Sequence, residues 1–301
     1  MPRTSSTSRR SRLFRFAAAF TVLVALGGYL AVQYLSGNRG APRCVAGASD
    51  GGEGRTYELS PDQAANAATI SAVGTTRGLP ERAVTIALAT ALQESALRNI
   101  DHGDRDSLGL FQQRPSQGWG TPEEIMDPVY ASGKFYEHLA EVPGYSRLPL
   151  TVAAQRVQKS GFPQAYAKHE PDAELLSAAL TGRAPASLTC SLPATTATGP
   201  GDAAEVRSDL ARAFGKDVLP SAGSAGAAAA NTVSVPVRDA GDATDRRGWE
   251  LAHWAVARAG TLRIDEVSYA GKVWTAGTGW RTERVEREKS TAGTVRMGLA
   301  Q

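Results

Sequence analysis

The chain has 301 residues, of which 42% are hydrophobic and 21% are charged, as in ordinary globular proteins. Its formal net charge is only +3, and five arginines lie within the first fifteen residues, so the remainder is close to neutral. This balance excludes a chain-wide basic surface for nucleic acid, and no nucleic-acid partner is predicted. The length allows one large domain or two modest domains.

The N-terminal residues have the pattern of a membrane anchor. An arginine-rich arm at residues 1–15 precedes an apolar run at residues 16–35, close to the ~20 residues that span a bilayer core. Arginines before this run place the N-terminus in the cytoplasm and the bulk of the chain outside it. Because no good cleavage site follows, a single-pass helix in the cytoplasmic membrane is favoured over a cleaved signal peptide.

Two cysteines bracket the central part of the chain. Cys44 and Cys190 are the only two, and an exported protein folds in an oxidising compartment, so they predict one disulfide. The alternative is two unrelated free thiols. Residues 36–55 are rich in Gly, Ala, Ser and Asp and are predicted to form a tether. No His or Cys cluster has metal-ligand spacing, so neither a metal nor a cofactor is predicted.

Residues 56–192 are predicted to form a mostly α-helical domain, because apolar helical patterns alternate with Gly and Pro. Ser60 and Pro61 are typical of the N-cap and first residue of a helix. Further helices are predicted from Glu81, from Pro122, from Asp127 to His138 and from Leu150 to Lys159.

The C-terminal third has a different pattern. Residues 193–202 have the composition of a linker, and residues 203–301 predict a small α+β module with a low-complexity loop at 221–230. A strand at Thr232–Val237 and a hairpin turning at Ala270-Gly271 are expected. Four of the five tryptophans lie here, where core packing is favoured over sugar stacking. The predicted fold class is mainly α: a transmembrane helix, a helical domain and this module.

The helix that begins at Glu81 carries the clearest candidate for chemistry. Residues 83–92 are apolar or small on nearly every side, which is typical of a core helix, and Gln93, Glu94 and Ser95 follow. A carboxyl group at the end of such a helix loses hydration, which favours its protonated form. Cleavage of a glycosidic bond needs a proton donor for the leaving oxygen, so Glu94 is the candidate general acid.

The next loop supplies candidate substrate-binding residues. Gly109 would let the backbone approach a ligand closely. Gln112 and Gln113 offer donors and acceptors suited to sugar hydroxyls and N-acetyl amides. Phe111 would form an apolar wall, and Ser107 completes the set.

Together these motifs resemble the lysozyme-like lytic transglycosylases of bacterial cell walls. Glu94-Ser95 matches the family's Glu-Ser, and Gly109-Leu110-Phe111-Gln112 matches its Gly-Leu-Met-Gln, with Phe in place of Met. The run onward to Tyr130 is similar to the version in actinobacterial exported proteins, and the C-terminal module resembles a domain of uncertain role found on such proteins. The resemblance implies a lysozyme-like domain, peptidoglycan as substrate, Glu94 as acid/base and Tyr166 as an active-site tyrosine.

One departure leaves alternatives open. The family's Ala-Tyr-Asn-Ala-Gly motif is absent, and Gln155 lies near its place. A lytic transglycosylase needs one glutamate, whereas hydrolysis would recruit a second carboxylate such as Asp101, Asp104 or Asp106. Two other hypotheses are a membrane-anchored wall-binding protein with weak or no turnover, and a scaffold for other cell-wall enzymes. The expected partners are peptidoglycan, the cytoplasmic membrane through one span, and such enzymes.

Overall fold

The computed structural model describes most of the chain beyond its first forty residues. It covers residues 16, 20–29, 41–47, 54–162, 164–192, 199–219, 231–237, 242–282 and 293–301. These divide into two compact units, Met1–Ala41 and Pro42–Gln301. The predicted basic arm, part of the predicted linker (residues 193–198) and the predicted loop at 221–230 lie outside the described residues.

The predicted transmembrane anchor and single-pass membrane location were wrong. Among the residues that the structure describes, no helix is long and apolar enough to cross a membrane. Residues 17–19 and 30–35 of the predicted span lie outside the described residues.

The predicted mainly α fold class was also wrong, because two antiparallel sheets accompany the helices. Helix accounts for about 52% and strand for about 17%, so strands form a substantial part of the fold. The helices are Pro61–Thr76 (α1), Glu81–Ser95 (α2), Pro122–Ile125 (α3), Pro128–Ala140 (α4), Leu150–Gln158 (α5), Glu170–Leu180 (α6), Ala203–Phe214 (α7) and Asp242–Leu262 (α8). The strands are Arg43–Gly47 (β1), Thr56–Leu59 (β2), Leu188–Ser191 (β3), Thr232–Pro236 (β4), Ile264–Tyr269 (β5), Lys272–Thr275 (β6), Gly279–Thr282 (β7) and Thr294–Leu299 (β8).

The first sheet joins the two ends of the segment predicted to be the helical domain. β1 lies between β2 and β3 and is antiparallel to both. Cys44 lies opposite Cys190 in the register, and the two form a disulfide, which confirms the predicted pairing. β1 falls within residues 36–55, so part of the predicted tether is fixed by strand pairing.

The second sheet has the strand order β4-β8-β5-β6-β7, antiparallel throughout. The predicted hairpin is confirmed between β5 and β6. Its turn residues, Ala270 (φ 48°) and Gly271 (φ 69°), both have the positive φ that a two-residue type I′ turn requires. Trp254 and Trp274 are buried, which confirms core packing for these two tryptophans.

α2 lies at the centre of the helical part and packs against α1, α4, α5 and α6. Its residues from Ala83 to Leu92 are all buried, as the sequence predicts. α1 begins where expected: the Ser60 hydroxyl accepts from Gln63 N at 3.2 Å, and Ser60 N donates to Gln63 Oε1 at 2.8 Å. This reciprocal capping box stabilises the helix start.

α8 packs against α1 and α6, so the C-terminal residues belong to the same compact unit as the helical part. Glu250 on α8 is only 5% exposed; Thr75 on α1 donates to its Oε1, and Arg247 donates to its Oε2 at 2.8 Å. Burial raises the pKa of Glu250. The neighbouring His253 is fully buried, donates from Nδ1 to Ala179 O at 2.7 Å, and has its pKa lowered by burial to about 4.

Candidate active site

Glu94 is the penultimate residue of α2, just after the buried run of that helix, and it is itself partly buried. The helix stops because Ala96 and Leu97 both adopt left-handed backbone, with φ of 52° and 58°. Ser95, the last helical residue, donates its hydroxyl to Leu110 O at 2.7 Å. The helix end is therefore tied to the 109–113 loop.

Tyr166 is brought to Glu94 from 72 residues away. It lies in a short 3₁₀ helix, Ala165–His169, which packs against α2. Its side chain is fully buried, and its hydroxyl donates to Glu94 Oε1 at 2.7 Å. Burial, and then the adjacent Glu94 carboxylate, raise the pKa of Tyr166, so the phenol stays a hydrogen-bond donor.

The 109–113 loop is held by short backbone contacts. Leu108 and Gln113 exchange N–H···O bonds of 2.9 and 3.0 Å, which closes a tight turn. Gly109 has φ +74°, and a Cβ there would lie 2.7 Å from Ile125 O, so only glycine fits without strain. Gln158 at the end of α5 donates its amide to Phe111 O at 2.7 Å. The loop thus bridges α2 and α5.

The predicted substrate-binding side chains are not equally available to a ligand. Ser107 is buried, and Phe111 is fully buried and stacks on Phe135 with ring centroids 4.6 Å apart. Gln113 is 2% exposed and donates its amide to Ala131 O at 3.0 Å. Gln112 is partly exposed. Of the predicted loop side chains, Gln112 is therefore the one best placed to meet a substrate.

An open cleft of about 450 Å³ lies beside this loop. Its walls come from residues 112–119, from the end of α4 with the turn that follows, and from residues 156–159 at the end of α5. The described residues that line it include Gln112, Gln113 and Gln158 but not Glu94. Ligand pockets typically enclose about 300–1,000 Å³, so the cleft is large enough to hold part of a polymer.

The acidic residues proposed as a second carboxylate are in two different situations. Asp101 and Asp104 are exposed. Asp106 accepts from Ser116 N at 2.8 Å and from Arg114 Nε at 2.7 Å. These bonds, from Ser116 first and then Arg114, hold the pKa of Asp106 well below its usual range. Asp106 is therefore an ionised anchor for the loop.

Gln155 lies on α5, near the place of the asparagine in the motif of the lytic transglycosylases. Its amide donates to Ser160 O at 2.8 Å, and its Oε1 is buried without a hydrogen-bond partner among the described residues. Ser160 also contacts the Tyr166 hydroxyl. Gln155 therefore supports the segment that carries Tyr166.

Sequence reasoning missed several neighbours of this site. His169 Nε2 lies 3.2 Å from the Gln93 side chain, next to Glu94 in the chain. Trp119 packs on His138 with ring centroids 4.3 Å apart and lines the cleft. Trp119 lies within the run from Gln112 to Tyr130 that carries part of the family resemblance, and this position was a usable signal. His169 had no such signal, because its contact depends on the packing of α2 against the 3₁₀ helix.

Comparison of the sequence with models of known protein families finds no match, and no curated protein matches it. A functional assignment therefore rests on the geometry of Glu94 and its surroundings.

Proposed function

We propose that the chain cleaves the glycan strands of peptidoglycan, with Glu94 as general acid and base. The observation that carries this proposal is the 2.7 Å hydrogen bond from the buried Tyr166 hydroxyl to Glu94 Oε1. It orients a partly buried carboxyl group at the end of a core helix, and the next residue, Ser95, bonds to the 109–113 loop, which also borders the open cleft. Such orientation by a buried donor is what a positioned proton donor requires.

The proposed reaction uses the two carboxyl oxygens differently. Tyr166 holds Oε1, and among the described residues no hydrogen bond occupies Oε2. In the first step, a proton moves from Glu94 to the glycosidic oxygen as the bond between that oxygen and the anomeric carbon breaks. Glu94 then accepts the proton of the muramyl 6-hydroxyl as that oxygen bonds to the anomeric carbon. The product is a 1,6-anhydro sugar, and Glu94 regains its starting state.

The state of the acidic residues favours this reaction over hydrolysis. A hydrolase would need a second carboxylate as nucleophile or as base for water. Asp106 is occupied by Arg114 and Ser116, and Asp101 and Asp104 are exposed on the preceding loop. Transglycosylation requires none of them, because the attacking hydroxyl belongs to the substrate itself.

A second candidate is a glycan-binding protein without turnover, favoured by Gln155 in place of the family's asparagine. The Gln155 amide is already donated to Ser160 O, so less of it remains for an intermediate than a free asparagine would offer. Such a protein would bind glycan at the same site without cleaving it.

Peptidoglycan zymography with wild type and Glu94→Gln tests the proposal. We expect clearing by wild type and none by the variant, with matched thermal unfolding of the two proteins as the control for folding. Mass spectrometry of the products should show anhydro-muramyl ends. Reducing ends would indicate hydrolysis instead, and no clearing by wild type would leave the binding protein.

A further inference from the structure

The cleft beside the 109–113 loop has a positive lining. Arg114, Arg156 and Lys159 supply cationic side chains, and His138 lies among them. Glu141 is the acidic residue among the described lining residues. Clefts lined mainly by one sign of charge concentrate ligands of the opposite sign.

Two of these charges are not neutralised. Arg114 is paired with Asp106 at 2.7 Å, and Glu141 lies 3.8 Å from His138. In the described part of the chain, no carboxylate forms an ion pair with Arg156 or Lys159, and both side chains are exposed. The cleft therefore offers two cations to a ligand.

The segment that carries these cations is the one that supports the Glu94 site. Arg156 is in the last turn of α5, and Lys159 follows it in left-handed backbone with φ 51°. Between them, Gln158 fixes the 109–113 loop through Phe111 O. A ligand held by Arg156 and Lys159 would therefore lie next to the loop that meets the end of α2.

We infer that the cleft binds carboxylates of the peptides that branch from a glycan strand held at Glu94. An arginine fork pairs with a carboxylate in two bonds, and a nearby lysine adds a mobile point charge. Trp119 supplies an aromatic wall beside them. This inference rests on the proposed function, because it assumes that the strand lies at Glu94.

Binding of soluble glycan–peptide strands to the Glu94→Gln protein tests the inference without turnover. The same strands with their carboxyl groups amidated serve as the second ligand. Adding R156Q and K159Q should weaken binding of the unmodified strands about tenfold at low salt. Each substitution removes one exposed ion pair with a ligand carboxylate, and each pair should account for about half of this loss. The preference for unmodified over amidated strands should disappear.

The matched control is R43Q with K216Q, which removes two exposed positive charges outside the cleft lining. It should bind both ligands as Glu94→Gln alone does, and thermal unfolding checks that every variant folds. Equal affinity of the two double variants for unmodified strands would overturn the inference. Wild-type cleavage is measured separately. Cleavage without charge-dependent binding would contradict only the carboxylate-binding role of the cleft. Charge-dependent binding without cleavage would support that role and contradict the proposed enzymatic activity.

Discussion

Glu94 and Glu250 each accept a hydrogen bond from a hydroxyl group far away in sequence. They differ in burial and in how many of their carboxylate oxygens have a protein partner. Glu94 is partly buried, and of the described residues only Tyr166 bonds to it, through one oxygen. Glu250 is 5% exposed, and Thr75 and Arg247 bond to its two oxygens. An oxygen without a protein partner can exchange a proton with a ligand, whereas a fully bonded, buried carboxyl group stabilises the packing of two helices.

The strongest test makes the same substitution, Glu to Gln, separately at each of the two positions. Glu94→Gln should lower glycan cleavage by about 10²–10⁴-fold, the range for loss of a general acid, and leave stability unchanged. Glu250→Gln should cost about 1–3 kcal/mol of unfolding free energy and leave the rate per folded molecule unchanged. Cleavage assays and urea unfolding measure both. A similar loss of rate in the two variants would contradict a catalytic role specific to Glu94.

Removal of the disulfide tests whether a loss of stability alone lowers the cleavage rate. Replacing Cys44 and Cys190 together by Ser should lower the unfolding free energy by about 2–5 kcal/mol, because the bridge restricts the unfolded chain. Cleavage should persist at temperatures where the variant is folded. Wild type in reducing buffer is the control and should match the variant; equal stability with and without the bridge would contradict the prediction.

The pH dependence of stability should separate His253 from Glu250. The pKa of His253 is about 4 in the fold against 6.5 when exposed, so its contribution is complete above pH 6.5 and is lost as pH falls towards 4, by up to about 3 kcal/mol. The raised pKa of Glu250 acts oppositely, adding stability as pH falls towards 4.5. Glu250→Gln should therefore lose stability more steeply than wild type between pH 6.5 and 4.5 in urea titrations. Parallel curves of stability against pH for wild type and Glu250→Gln would contradict opposite contributions from His253 and Glu250.

The smallest effects are expected from the hydroxyl groups. Tyr166→Phe should slow cleavage about tenfold, since a hydrogen bond to a charged group contributes about 1.5 kcal/mol. Thr75→Val should cost about 1 kcal/mol of stability and spare the rate. Tyr136→Phe is the matched control, because that buried hydroxyl donates to Ile70 O at 2.9 Å, at a helix contact that does not include Glu94. A rate loss in Tyr136→Phe equal to that in Tyr166→Phe would refute a specific role for Tyr166.

Local signals in the sequence were sufficient for much of this structure. Ser60 and Pro61 predict the start of α1 because capping depends on residues within one turn. Ala270-Gly271 predicts its hairpin because two residues with positive φ fix the turn. The buried run of α2 similarly places Glu94 at the edge of a core. In each case, the determining residues lie within a few positions of one another.

The unpredicted parts depend on contacts between distant residues. β1 and β3 are short strands about 145 residues apart, and neither has enough alternation to indicate a partner. The sequence predicts Phe111 as an apolar wall for a ligand, but its stacking on Phe135 depends on how α4 packs. The fully bonded state of Glu250 likewise needs Thr75, 175 positions away. Sequence pattern gives the polarity of such residues but not their neighbours.

The bridge between Cys44 and Cys190 closes a covalent ring that contains Glu94, Tyr166 and the cleft. Phe162, whose side chain is 78% exposed, lies on this ring between Glu94 and Tyr166. A protease that cuts there would open the ring without separating its ends, so both members of the pair would remain in one molecule. Glu250 lies outside the ring, and a cut just after Leu192 would leave α8 attached only by noncovalent contacts, among them the bonds from Thr75 to Glu250 and from His253 to Ala179.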